Sequence, residues 1–156
     1  MSVLSDATGG RIHANALVVG ECGVLVRGAS GSGKSALTLE LLAQAEARGD
    51  FARLVGDDRV DVCARGGRLI ARPHPAIAGA IEARGVGVLR LPFEPACVIR
   101  LIVDLTTPHT HPDRYPQDAS TSAQICGVTL PRLSANASGV AAARKIMAYL
   151  QSFVTN

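Results

Sequence analysis

The chain has 156 residues, of which 47% are hydrophobic, 19% charged and 3% aromatic, with no tryptophan and a net charge of +3. That is the composition of one folded domain with a substantial core, and it excludes a mostly disordered chain. No apolar run approaches the roughly 20 residues that span a bilayer, and scattered arginines with few aromatics offer no face for stacking bases. Neither a membrane nor a nucleic acid is expected as a partner.

The segment Met1 to Gly10 lacks the basic-then-apolar order of a secretory signal, so a cytoplasmic location is the expectation. Cys22, Cys63, Cys97 and Cys126 stand far apart in the sequence. Such spacing suits reduced thiols better than a zinc site, which needs close ligand pairs.

In chain order, Ile12 to Val19 reads as a strand that turns at Gly20-Glu21-Cys22-Gly23 into the apolar strand Val24 to Val26, forming a hairpin. Gly28 to Gly33 is a glycine- and serine-rich loop. Ser35 to Arg48, with leucines at 37, 39, 41 and 42, reads as a buried helix ended by Gly49. Arg53 to Val55 is a short strand stopping at Gly56-Asp57-Asp58. Arg59 to Cys63 and Arg68 to Arg72 read as an antiparallel pair around Gly66-Gly67. Beyond Pro73 and Pro75, Ala76 to Ala83 is expected to form a short helix. Val86 to Leu91, Val98 to Leu105 and Gln124 to Leu130 read as strands, with Thr106 to Ser120 a long surface loop. Gly139 to Phe153 is the closing helix.

Gly28-Ala29-Ser30-Gly31-Ser32-Gly33-Lys34-Ser35 matches G-x-x-x-x-G-K-[ST] in full, between a strand and a helix. Glycines let successive backbone N–H groups curl around phosphate oxygens at a helix N-terminus. Lys34 can reach the β- and γ-phosphates, and the Ser35 hydroxyl can ligate Mg²⁺. Asp57 and Asp58, just past a strand, suit a metal contact and a proton acceptor, although an Asp pair also forms turns. Folding the hairpin places His13 roughly opposite Ser30, yet a structural strand histidine is the plainer reading of that residue alone. Glu82 and Arg84, beside Gly85 and Gly87, read equally as site residues or as a salt-bridged turn. Arg114 in the long loop can clamp a phosphate or stay solvated. The His109-x-His111 pair resembles a metal pair, although a solvated loop is the plainer reading.

Together these pieces resemble the catalytic domain of bacterial HPr kinase/phosphorylase, from about Ile12 to about Leu133. They occur in family order: Ile12-His13, the hairpin into the P-loop, Leu54-Val55-Gly56-Asp57-Asp58, Ile81 to Gly87, Asp113-Arg114 and Leu130-Pro131-Arg132-Leu133. The resemblance implies an α/β fold, a P-loop kinase domain of the HPr kinase/PEP carboxykinase-like type. That fold is a mixed sheet with antiparallel hairpins flanked by helices, here a single domain over residues 1–156.

The resemblance also implies ATP and Mg²⁺ as cofactors and HPr, the phosphocarrier of the phosphotransferase system, as the substrate phosphorylated on serine. By the same carry-over, the loop from Gly28 to Ser35 holds the nucleotide, with Lys34 on the transferred phosphate. Ser35 and Glu82 are magnesium ligands, Asp58 is the proton acceptor with Asp57 its companion, and His13 and Arg114 complete the catalytic set. A homo-oligomer, a hexamer in the family, is implied as well.

Three departures stand out. Fuller members carry an N-terminal domain, whereas here the catalytic module begins almost at Met1. The glutamate that often follows the P-loop serine is Ala36. Ser134 to Ser138 replaces the basic loop that the family uses in dephosphorylation, so kinase activity is expected to exceed phosphorylase activity. A P-loop kinase of a small metabolite, or a nucleotide-binding regulatory module with little turnover, are the alternative readings.

Overall fold

The computed structural model describes residues 9–106, 121–136 and 139–155. His109, His111, Asp113 and Arg114 therefore lie outside the described residues. The elements are β1 (Gly9–Ile12), β2 (Ala14–Val19), β3 (Cys22–Arg27), α1 (Lys34–Ala47), β4 (Ala52–Gly56), β5 (Val60–Arg65) and β6 (Arg68–Pro73). A 3-10 turn at Pro75–Ile77 follows, then β7 (Ala80–Ala83), β8 (Gly87–Arg90), β9 (Cys97–Thr106), β10 (Ser122–Ile125), β11 (Val128–Asn136) and α2 (Val140–Thr155).

The main sheet runs in the order β1-β5-β6-β9-β3-β2-β4. β3 and β9 are parallel, and every other pairing along that path is antiparallel. β9 is long enough to serve two neighbours on one edge: Cys97 to Ile99 pair with β6, and Ile102 to Thr106 pair in parallel with β11. β7 and β8 form a separate hairpin. The expected α/β architecture, a mixed sheet with antiparallel hairpins flanked by helices, is what the described residues adopt.

Alternation in the central strands sorts side chains into two apolar layers. Leu17, Val19, Val24, Val26, Leu101 and Val103 meet Leu37, Leu41 and Ala45 of α1 and Ala143, Ile146 and Leu150 of α2. On the opposite face, Ala16, Val18, Leu25 and Ile102 pack with Val60, Val62, Leu69 and Leu130. Burial on both faces explains why β2, β3 and β9 read as continuous apolar runs. Each fully buried leucine contributes about 1.5–3 kcal/mol.

Three sequence expectations need correction. Ile12 to Val19 is not one strand, because pairing switches from β5 to β3 and β4 around His13. Ala76 to Ala83 is not a helix: Gly79 sits at φ +78, and Ala80 to Ala83 pair with Gly87 to Arg90 so that Ile81 enters the core. Helix propensity there yields to hairpin pairing and the burial of Ile81. Gln124 to Leu130 is a hairpin turning at Cys126 and Gly127, both with positive φ. In addition, Ser134 to Asn136 continue β11 against Asp104 to Thr106 and so belong to the sheet.

Candidate active site

The phosphate loop leaves the C-terminal end of β3 and enters α1, at the edge of the parallel strands where open α/β sheets bind ligands. Two glycines there are dictated by geometry. Gly33 adopts φ +99 at the N-cap of α1, and a Cβ on Gly28 would fall 2.5 Å from Ser32 Oγ and 3.2 Å from Leu105 Cβ. Lys34 opens α1, is 7% exposed, and donates to the carbonyls of Gly28 at 3.1 Å and Ala29 at 3.3 Å. The lysine is thereby folded back over the loop.

The two aspartates of the β4–β5 turn occupy opposite environments. Asp57 is 7% exposed and accepts three hydrogen bonds: from Asn15 Nδ2 at 2.9 Å, Ser35 Oγ at 2.6 Å and the Glu82 backbone N–H at 2.8 Å. Asp58 has a side chain 54% exposed, with its Oδ1 lying 3.8 Å from both Lys34 Nζ and His13 Nδ1. Its backbone adopts φ +63, inside a tight turn closed by Arg59 N–H donating to Asp57 O at 2.7 Å. A left-handed conformation costs a non-glycine residue roughly 1–2 kcal/mol and turns this carboxylate outward. Strain of that kind concentrates at functional positions.

β7 and the turn that follows it bring in Glu82 and Arg84. Ser30, Gly31, Lys34, Ser35, Asp58 and Glu82 line one cleft of about 660 Å³. A methyl added at Gly31 would lie 3.6 Å from Arg84 Nη2, so that arginine overhangs the phosphate loop. Among the described residues no ion pair joins Glu82 to Arg84. A larger groove, about 930 Å³, lies at the opposite end of the strands between Glu21, Arg100 and Phe153 and contains none of these groups.

Sequence reasoning missed Asn15, which is fully buried and joins Asp57, Thr38, Ser35 and the Asp58 backbone. The available signal was one amide in the otherwise apolar strand Ala14-Asn15-Ala16-Leu17-Val18-Val19. It also missed Arg27, whose guanidinium holds Asp104 through two bonds of 2.7 and 2.8 Å, while Arg132 Nε donates to the same carboxylate at 2.5 Å. Burial works to raise the pKa of Asp104, and the hydrogen bonds from Arg27 and Arg132 outweigh it, so the carboxyl sits below its ordinary range. This cluster ties the residue preceding the phosphate loop to β9 and β11. Among the described residues no group of three or more His, Cys, Asp and Glu side chains is arranged to hold a metal.

The family model described as HPr Serine kinase C-terminal domain matches residues 5–156. The chain belongs to the HPr serine kinase C-terminal domain family. Within that family it is 33% identical over 133 residues to the HPr kinase/phosphorylase of Limosilactobacillus reuteri (strain DSM 20016), covering 79% of this chain and 39% of that protein. It is 32% identical over 132 residues to the HPr kinase/phosphorylase of Streptococcus pneumoniae (strain Hungary19A-6), covering 78% and 40%. The chain thus spans about two fifths of the length of these curated relatives. A solved structure, the Hpr(Ser) kinase/phosphatase from Coxiella burnetii, superposes with a TM-score of 0.75 over 92% of this chain and 98% of that one, at 23% identity. That likeness shows the HPr serine kinase fold. No helix among the described residues is long and apolar enough to cross a membrane.

Proposed function

We propose that this domain transfers the γ-phosphate of ATP to a seryl hydroxyl of HPr. The observation that carries the reading is the division of the aspartate pair. Asp57 is buried and bonded to the phosphate-loop serine, whereas Asp58 is turned outward between Lys34 and His13. A kinase needs that combination of an anchored carboxylate and an accessible one beside the phosphate-binding lysine.

In this reading the loop from Gly28 to Ser35 cradles the phosphates and Lys34 neutralises charge on the transferred group. Asp58 accepts the serine proton as the oxygen attacks in line. His13, with its side chain 77% exposed, lies on the same side as Asp58 and can donate to a phosphate oxygen. The donor set fits Mg²⁺: Ser35 Oγ and Asp57 Oδ1 are adjacent hard oxygens, and Mg²⁺ sites combine one or two carboxylates with substrate phosphates and water. Ser35 and Asp57 would hold the ion, with Glu82 at the cleft wall, and the ion would neutralise phosphate charge. Arg114 is assigned a catalytic position by the resemblance. Transfer of label from ATP to serine of purified HPr tests the reading; label on a small metabolite instead, or bound nucleotide with no transfer, favours the alternatives.

A further inference from the structure

We infer that Asn15 is a positioning residue that gives the two adjacent aspartates their separate jobs, pinning Asp57 beneath Ser35 and holding Asp58 in its outward-facing backbone conformation. The inference rests on the kinase reading of this site and concerns a residue for which that reading has no role.

Asn15 lies on the α1-facing side of β2, fully buried, as do Leu17 and Val19. Its amide carries two hydrogens and faces three oxygens: Asp57 Oδ1 at 2.9 Å, Thr38 Oγ1 at 3.1 Å and Ser35 Oγ at 3.3 Å. Thr38 spends its own hydrogen on the Lys34 carbonyl at 2.8 Å, and Ser35 spends its hydrogen on Asp57 at 2.6 Å, so both hydroxyl oxygens remain acceptors. Two donors for three acceptors leave the longest contact, to Ser35, the weakest. That oxygen keeps electron density for a cation.

The other end of the amide works on Asp58. Asn15 Oδ1 accepts the Asp58 backbone N–H at 2.8 Å, and the Ala14 N–H donates to the Asp58 carbonyl at 3.1 Å. Both backbone groups of the left-handed residue are therefore held by consecutive residues of β2, immediately after His13. The orientation of the amide is fixed by its surroundings. Reversed, its oxygen would face the Asp57 carboxylate and its hydrogens would face the Asp58 N–H.

A one-bond-shorter side chain cannot span both partners, so Asn15→Ser should release Asp58 while keeping a polar group at a buried position. Asp58→Asn keeps both the Asp58 backbone N–H and the Asn15 oxygen that accepts it. Two measurements decide the matter. The first is a double-mutant cycle on transfer from Mg²⁺-ATP to HPr, using Asn15→Ser, Asp58→Asn and the combination. Asn15→Ser should lower kcat about 10²-fold and should cost at least about tenfold less in the Asp58→Asn background, where only the lost bond to Asp57 still counts. Equal loss in both backgrounds would show a general structural role and overturn the proposal.

The second measurement, amide hydrogen exchange at Asp58, needs no acceptor protein. Exchange should accelerate at least about tenfold in Asn15→Ser relative to global stability and stay near wild type in Asp58→Asn, which keeps the bond to Asn15. Unchanged protection in Asn15→Ser, or lost protection in a folded Asp58→Asn, overturns the placement. Wild-type protein that leaves HPr unlabelled would refute the kinase reading alone, because exchange at Asp58 still decides the role of Asn15.

Discussion

Replacing each aspartate of the pair by asparagine should separate stability from catalysis. Asp57 accepts from donors on both oxygens: Asn15 and Ser35 on Oδ1, and the Glu82 N–H on Oδ2. An asparagine has one acceptor oxygen, so in either orientation a buried donor faces another donor. An orphaned donor costs about 1–3 kcal/mol, and exchanging charged for neutral acceptors at the remaining bonds adds roughly 1 kcal/mol. For a chain of this size a loss of roughly 2–4 kcal/mol lowers Tm by about 5–15 °C. Asp58, half-exposed and already in left-handed backbone geometry, is different, because asparagine tolerates that conformation better than most residues. Asp58→Asn should therefore leave stability within about 0.5 kcal/mol and lower the transfer rate about 10²–10⁴-fold. Thermal unfolding and initial-rate kinetics on the same preparations test both halves. A stable Asp57→Asn protein paired with a fully active Asp58→Asn protein would refute the division of roles.

Further outcomes follow from other parts of the fold. The Arg27–Asp104–Arg132 cluster holds the Asp104 pKa below its unfolded value, so its stabilisation is complete above about pH 4 and is lost as pH falls through the folded value. In denaturant titrations the gap between wild type and Asp104→Asn should shrink on acidification; a constant gap would contradict the assignment. Burial pushes the Cys97 thiol up to about 12, so at pH 8 iodoacetamide should modify the partly exposed Cys63 and Cys126 well before Cys97, as read by mass spectrometry. Equal rates would contradict that. Kinase turnover should exceed phosphorylase turnover, because Ser134 to Asn136 are uncharged strand residues and Arg132 is already committed to Asp104. Phosphoserine-HPr supplied with Mg²⁺ and saturating inorganic phosphate should lose its label more slowly than HPr gains it, and equal rates would show that no basic loop is needed.

What could be read in the sequence was whatever chemistry dictates locally. The phosphate loop needs its glycines and its lysine at fixed spacing, and the strand and helix flanking it are where apolar runs placed them. The aspartate pair was legible as a pair, but their unlike environments were not, because those depend on Asn15, Ser35 and Glu82, residues up to 42 positions from Asp57. Asn15 was hidden by its neighbours, which mark β2 as core. The Arg27–Asp104 bridge joins residues 77 apart and exists only because β3 and β9 lie side by side in register. The helix expected over Ala76 to Ala83 failed for a related reason. Alanines permit a helix, but Gly79 and the hairpin partner strand Gly87 to Arg90 impose an extended chain.

The most direct measurement is mass spectrometry of HPr after incubation with this protein, ATP and Mg²⁺, alongside Lys34→Ala as the matched control. Lys34 contacts the phosphate-loop carbonyls of Gly28 and Ala29, so its loss should remove transfer and leave the fold in place, as checked by circular dichroism. The account predicts one phosphate on a seryl residue of HPr with the wild-type protein and none with Lys34→Ala. Unmodified HPr with the wild-type protein, or equal phosphorylation by a folded Lys34→Ala protein, would contradict it.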